Sequence, residues 1–402
     1  MLNESQRVLI AISLATMLGS GSVLADVKIG FLGGFTGPIE SMTPGIVAAA
    51  KLAVAQVNAQ GGVLNGQKII MPQADTTCVD ATAGANAADR LVNSEQVLAL
   101  VGPLCSGVTI SAANNVAIPG GVVIISPAST SPALTTLKDR DLVFRTTPSD
   151  AYQGAVMARL LKSKGIHDIA ITYLNNDYGK GLSSALAKNF KAIGGKVVAN
   201  EAHEDGRSDY RAELGSLASA GSQNLVVLAL ADGSGQTILR QAVESGDFTQ
   251  FIGGDGMVSN SLIKAVGADN LKTMIGTKPG TPNIAGAGIY GKAARAAGQD
   301  PNAVFGAQAY DAAFLLALAV EKNGNNHREG LSKALRAIAS APGEVILPGE
   351  WKKAKALLKA GKDINYEGAT GSLEFDAAGD VPGVIVEMAI KDGEFKIVKQ
   401  LK

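Results

Sequence analysis

The chain has 402 residues, 46% of them apolar but only 4% aromatic, and its 36 basic side chains cancel its 36 acidic ones. That balance excludes the basic field needed to hold nucleic acid or an anionic membrane surface. The length exceeds one typical core and 48 glycines signal many turns, so a two-lobed α/β protein is expected.

The first 25 residues read as an export signal. "MLNESQR" precedes the apolar "VLIAISLATML", which is too short to cross a bilayer, and "GSGSVLA" offers a cleavage site at Val23-x-Ala25. No cysteine sits at the cut, so no lipid anchor is expected, and no later apolar run reaches membrane-spanning length.

From Asp26 onward, strand-like apolar runs alternate with helical ones. "VKIGFLGG" leads to "GIVAAAKLAVAQVNAQGG", where apolar residues recur at helical spacing until a glycine pair stops them. "QKIIMPQAD", the helix "AGANAADRLVNSE", "VLALVGP", a helix from Val108 to Ala117, "GVVIISP" and "LVFRTTP" complete a first set. A second set begins after Pro148, with helix "YQGAVMARLLKSKG" before "DIAITYLN" and helix "GLSSALAKNFKAIGG" before "KVVANEAH". It continues with "YRAELGSLASAG" before "LVVLALA" and "GQTILRQAVESG" before "QFIGGDG". Fully apolar strands joined by helices indicate parallel sheets covered on both faces, and two such sets indicate two doubly wound lobes. The helices "AQAYDAAFLLALAVEKNG" and "REGLSKALRAIAS" follow. An antiparallel pair, "GSLEFDAAGD" with "GVIVEMAIKDGEFKIVKQ", is then expected to complete the lobes through several hinge crossings. The expected division is 26–147 with 279–363 as the first lobe, and 148–278 with 364–402 as the second.

Catalytic signatures are scarce. His167, His203 and His327 stand in unrelated contexts without metal-ligand spacing, and read as solvated loop or helix-end residues. There is no G-x-S-x-G elbow. The one G-x-G-x-x-G, "GAGIYG", follows "GTKPGTPNIA" rather than an apolar strand, and reads as a loop. Trp351, the sole tryptophan, lies in a lysine-rich helical stretch poorly suited to stacking a sugar. Neither an enzyme nor a cofactor or metal is expected.

Ligands of open parallel sheets bind beyond the carboxyl ends of the strands. There the unusual residues of this chain fall, in "GPLCSG", "SPASTSP", "LNNDYGKG" and "GGDG". Ser106 and the Ala128–Thr130 turn can aim N–H groups and hydroxyls outward as a neutral cradle for one carboxylate. The competing reading of those hydroxyls is helix capping. Asp255 stands alone among glycines at another strand end, and cradle plus carboxylate suit a zwitterion. Tyr178 adds a polar tip and an aromatic wall, or is an exposed turn residue. In an exported chain the only two cysteines, Cys78 and Cys105, read as a disulfide, with two unpaired buried thiols as the alternative.

Taken in order, "VKIGFLGGFTGP", "AVAQVNAQGGVLNGQKI", "VGPLCSGVT", "VVIISPASTSPALT", "VFRTTPSDAYQG", "YLNNDYGKG" and "QFIGGDG" resemble the leucine/isoleucine/valine-binding protein family over nearly all of 26–402. These are exported solute receptors of branched-chain amino acid ABC importers with the type I periplasmic binding fold. The resemblance implies a monomer in the periplasm that closes on an amino acid and presents it to a membrane ABC permease. It also implies a carboxylate site at Ser106, Ala128 and Thr130, an ammonium ligand at Asp255, pocket residues Tyr178 and Phe305, and a Cys78–Cys105 disulfide. Two departures stand out. Met42 and Ala231 occupy positions where the family often has aromatics, and Asp255 is one methylene shorter than the glutamate of the branched-chain binders. Asp232, beside Ala231, could offer the pocket a polar group. The backbone site of an amino acid is therefore expected to be kept and the side-chain pocket altered; an aromatic or other small carboxylate on the same fold is the alternative.

Overall fold

The protein is described by a computed structural model over residues 25–401. The export signal expected over 1–25 falls, apart from Ala25, outside the described residues.

Two sheets form the cores of two lobes. In the first, β1 (Val27–Gly33), β4 (Ala99–Val101), β5 (Val123–Ser126) and β6 (Val143–Arg145) run parallel, and β2 (Ile69–Ile70) and β3 (Gln73–Asp75) also pair with β1. Ile29, Phe31, Leu100, Val101, Ile124 and Ile125 are fully buried, as strands covered on both faces require. "QKIIMPQAD", expected as one strand, is two. Pro72 has no N–H for the ladder, so pairing stops there, and its carbonyl accepts from the Phe31 amide at 2.8 Å.

In the second sheet β8 (Lys196–His203), β7 (Asp168–Leu174), β9 (Asn224–Leu228), β10 (Gln250–Gly253) and β11 (Ile275–Gly280) are parallel. The chain's end adds β15 (Val384–Lys391) antiparallel to β11, and β16 (Glu394–Leu401) antiparallel to β15. The expected antiparallel pair is thus relocated: it forms within "GVIVEMAIKDGEFKIVKQ". Asp392 (φ 53°) and Gly393 (φ 75°) supply the left-handed turn there. "GSLEF" contributes only β14 (Gly371–Ser372), paired with β13 (Ile364–Gly368), which runs parallel to β12 (Glu344–Ile346) in a small third sheet.

Helix Gly306–Asn323 is buried at every position from Gly306 to Val320, which explains a sequence apolar on all sides. It packs along helix Thr43–Ala59. Around it Tyr310 and Tyr366 stack on Phe314, while Trp351 meets Phe314 edge-on and donates from Nε1 to the Gly62 carbonyl at 3.1 Å. Trp351 is therefore a core residue.

Two further expectations are corrected. "GAGIYG" is not a loop but the start of helix Ala285–Ala296; a Cβ at Gly286 would lie 2.2 Å from the Gly368 carbonyl oxygen, so glycine lets the helix close on β13. His203 is not solvated. It ends β8 facing inward, 3% exposed, its ring nitrogens within 2.7 Å of the Thr172 hydroxyl and 3.1 Å of the Ser234 hydroxyl. Burial depresses its pKa to about 4.

Candidate functional site

The carboxyl ends of β4, β5, β7 and β10 bring the singled-out residues to one place between the lobes. After β4, Cys105 precedes helix Ser106–Ala112, two residues earlier than the helix start expected from sequence. Cys105 is bonded to Cys78 across a separation of 27 residues, with Cα atoms 5.7 Å apart. The disulfide ties the Ser106 turn to the loop that follows β3.

The hydroxyls of "ISPASTSP" divide into two kinds. Ser126 donates to the Pro103 carbonyl at 2.6 Å and accepts from the Ser129 amide at 3.0 Å; Ser129 and Thr109 hydroxyls meet at 2.7 Å. The Ser131 amide donates to Ser106 Oγ at 3.2 Å, and Ser131 Oγ caps Ala133. These bonds stitch the turn after β5 to the turn after β4. Thr130 is different. It is fully buried, its hydroxyl lacks a hydrogen-bond partner, and no acceptor among the described residues takes its amide.

Across the cleft, Asp255 begins the single turn that follows β10 and is 3% exposed. Its Oδ1 accepts from Gln153 Nε2 at 2.9 Å and from the Tyr178 hydroxyl at 3.3 Å, and that hydroxyl accepts from the Gly256 amide at 3.2 Å. Glycines flank Asp255 because a Cβ at 254 would lie 2.8 Å from Leu182 Cδ2 and 2.9 Å from the same hydroxyl, and one at 256 would lie 2.6 Å from the Ala229 carbonyl oxygen. Burial pushes the Asp255 carboxyl up to about 6, and the bonds from Gln153 and Tyr178 offset only part of that. Tyr178 is also buried, and burial with the nearby charges of Asp255 and Asp150 raises its phenol well above the usual range.

A cavity with an empty volume of about 490 Å³, open mouth included, separates the two faces. Met42, Ser106, Ala128, Tyr178, Asp255 and Phe305 line it together with Ile39, Ile46, Leu104 and Leu230. Phe305 holds left-handed backbone, φ 59°, at the start of its helix, a conformation uncommon for a bulky residue and concentrated at functional sites. Thr130 and Ala231 do not line the cavity. Thr130 is fully buried two residues past Ala128, which does line it, and Ala231 is packed in the second lobe's core. Asp232 does not line it either: its carboxylate accepts from the Ser41 amide at 2.9 Å and from Ser261 Oγ at 2.5 Å, bridging the lobes beside the cavity.

Sequence reasoning missed Asp150. It opens helix Asp150–Ser163, where an acid looks like ordinary helix-end chemistry. The structure buries it completely, with both carboxyl oxygens unpartnered and its amide donating to the Thr130 carbonyl at 2.8 Å. Burial and the charge of Asp255 raise its pKa well above the carboxylate range; the Thr130 hydroxyl, near but not aligned as a bond, and the Arg145 charge oppose this in part. Thr147 Oγ1 and Gln153 Oε1 are likewise buried and unpartnered. A dense patch of buried, unpaired polar atoms is the mark of a site built for something polar. Only the final fold reveals it.

Among the described residues no group of three or more His, Cys, Asp and Glu is arranged to hold a metal ion, and no helix is long and apolar enough to cross a membrane.

Comparison with known proteins gives a consistent result. A family model for periplasmic binding proteins matches residues 26–360. A leucine-, isoleucine-, valine-, threonine- and alanine-binding protein of Pseudomonas aeruginosa is 30% identical over 369 residues, 90% of this chain and 89% of its own. The crystal structure of a leucine-binding protein from Thermotoga maritima superposes with a TM-score of 0.79 at 25% identity, covering 94% of this chain and 99% of that one. A branched-chain amino acid transporter substrate-binding protein of Streptococcus pneumoniae, solved with isoleucine, gives 0.76 at 25% identity, over 94% of this chain and 99% of its own. With two parallel-sheet lobes, a cleft at their strand ends and this match across most of its length, the chain belongs to the periplasmic binding protein family.

Proposed function

We propose that the protein is the solute receptor of an ABC importer, closing its two lobes on a small aliphatic amino acid. The observation that carries this is the polarity of the cavity. One rim is neutral and carries Ser106 and the turn at Ala128, the other holds a buried carboxylate, and the wall between them is Ile39, Met42, Ile46, Leu104, Leu230 and Phe305. In this reading Ser106, Ala128 and Thr130 receive the ligand carboxylate, and Asp255 receives the ammonium with Tyr178 beside it. Asp150 stays neutral while Asp255 is ionised, because burial and its neighbour's charge both favour its proton. The names of the Pseudomonas and Streptococcus relatives support an aliphatic side chain.

Each charge-assisted hydrogen bond contributes about 1.5–3 kcal/mol net, so a few of them reach the roughly −8 kcal/mol of micromolar binding after the cost of closure. Closure follows from ligand contacts split between lobes, since a ligand favours only the state it binds better. The reading entails export, a monomer, a membrane permease as partner and no catalysis. Strand pairing supports hinge crossings near 147–148 and after Gly280, where the division expected from sequence has 278–279, and a last one after Phe375 rather than at 363–364, because β13 pairs with β12 and β14 with β13.

The test is a thermal-shift screen on unfolded, dialysed and refolded protein against amino acids, their decarboxylated and deaminated analogues, and aromatic acids. Stabilisation by an aliphatic amino acid and by neither analogue is expected. Stabilisation by simple or aromatic acids alone would retire Asp255 as the ammonium ligand.

A further inference from the structure

Behind the first-lobe rim lies a fully buried guanidinium. Arg145, the last residue of β6, is 1% exposed, and every nitrogen of its fork is engaged. Nη1 donates to the Thr130 and Ser131 carbonyls at 3.0 and 2.9 Å, with the Ser129 carbonyl at 3.4 Å. Nε and Nη2 donate to the two oxygens of Asp380, both at 2.6 Å, and Nη2 also reaches the Thr135 hydroxyl at 2.9 Å. That hydroxyl donates to Asp380 at 2.7 Å. The Arg145 amide donates to the Gly379 carbonyl at 3.1 Å, so the segment entering the second lobe before β15 is docked on the same side chain.

In a trans peptide the C=O and N–H lie in one plane and point in opposite directions. A guanidinium that holds the Ser129 carbonyl therefore turns the Thr130 amide to the opposite side, away from itself, and no acceptor among the described residues takes that amide. Lysine could not do this, because only a planar fork serves a carboxylate and several carbonyls at once. We propose that Arg145 is a positioning residue for the ligand carboxylate: held by Asp380, it fixes the 129–131 turn so that the Thr130 amide faces the ligand. Arg145 touches no ligand and acts through the turn. This rests on the carboxylate-cradle reading above.

The experiment compares calorimetric Kd values for whichever of leucine, isoleucine, valine and alanine binds tightest, and for its carboxamide, on the full protein. The amide keeps the ammonium and side chain and lacks only the charged carboxylate. Wild type should prefer the acid. Arg145→Lys should weaken the acid by about tenfold or more, one lost charge-assisted bond, and leave the amide within twofold. Asp380→Asn, a milder change that serves if Arg145→Lys does not fold, should weaken the acid by about threefold with the same selectivity. If both ligands weaken alike, Arg145 is merely structural and the proposal fails; it fails equally if neither ligand is affected, or if acid preference rises. A wild type that takes acid and amide alike would instead overturn the cradle itself, and the proposal with it.

Discussion

The two faces of the cleft solve opposite problems. The first-lobe face carries no formal charge: in the proposed reading its donors are an amide and hydroxyls, in turns after β4 and β5 that are stitched together by Ser126, Ser129 and Ser131. The second-lobe face stores a carboxylate at 3% exposure, propped by Gln153 and Tyr178. Dipoles fixed at folding cost little to keep buried, whereas a buried charge is expensive until a counter-charge arrives. The acidic face should therefore carry most of the discrimination, and the neutral face most of the geometry.

The largest effect should separate them outright. Asp255→Ala should weaken amino-acid binding by on the order of a hundredfold, about 3 kcal/mol, since it strands a buried ammonium. Ser106→Ala should cost only about tenfold, because other donors remain. The ligand-free melting temperature of Asp255→Ala should equal or exceed that of wild type. Equal losses of affinity in calorimetry would erase the contrast between the faces.

Acidity sharpens the same contrast. Because the Asp255 pKa is raised from 3.8 to about 6, its contribution to the stability of the ligand-free fold is fully present below about pH 3.8 and lost as pH rises through about 6. An ammonium needs the ionised form, so affinity should run the other way, falling about tenfold between pH 7.5 and pH 5. Binding isotherms at the two values, with melting curves of ligand-free protein, test both signs; a flat affinity would mean that the neutral face dominates.

The smallest effect concerns what holds the faces together. Asp232 accepts from Ser261 of its own lobe and, across the cleft, from the Ser41 amide, just before a helix, Thr43–Ala59, that has no side-chain cap of its own. Asp232→Asn should speed ligand release about threefold, in line with one partly exposed charge at a helix start, with the association rate unchanged. Stopped-flow release kinetics decide it, and an unchanged release rate would remove Asp232 from the closure.

Much of this is legible in the amino-acid sequence. Alternating apolar runs announce the sheets, because buried parallel strands tolerate little else, and ligand sites follow the strand ends. Asp255 stands out as a lone acid among glycines. Asp150 does not, since an acid at the start of a helix is commonplace and only tertiary packing seals it from water. Thr130 and Ser129 are indistinguishable as letters; which hydroxyl stitches and which stays unpaired depends on where Pro103 lies in space. "GAGIYG" misled because its glycines answer to a neighbouring backbone rather than to local flexibility. Arg145 and Asp380, separated by 235 positions, give no local signal at all.

The order in which the parts of each lobe leave the ribosome has its own consequence. The first sheet is complete by Arg145, yet the helix that seals it, Gly306–Asn323, comes much later, and the second sheet gains β15 and β16 only from the last residues of the chain. Neither lobe is a contiguous stretch of chain, so each stays open on one side until residues that follow the other lobe's strands have emerged.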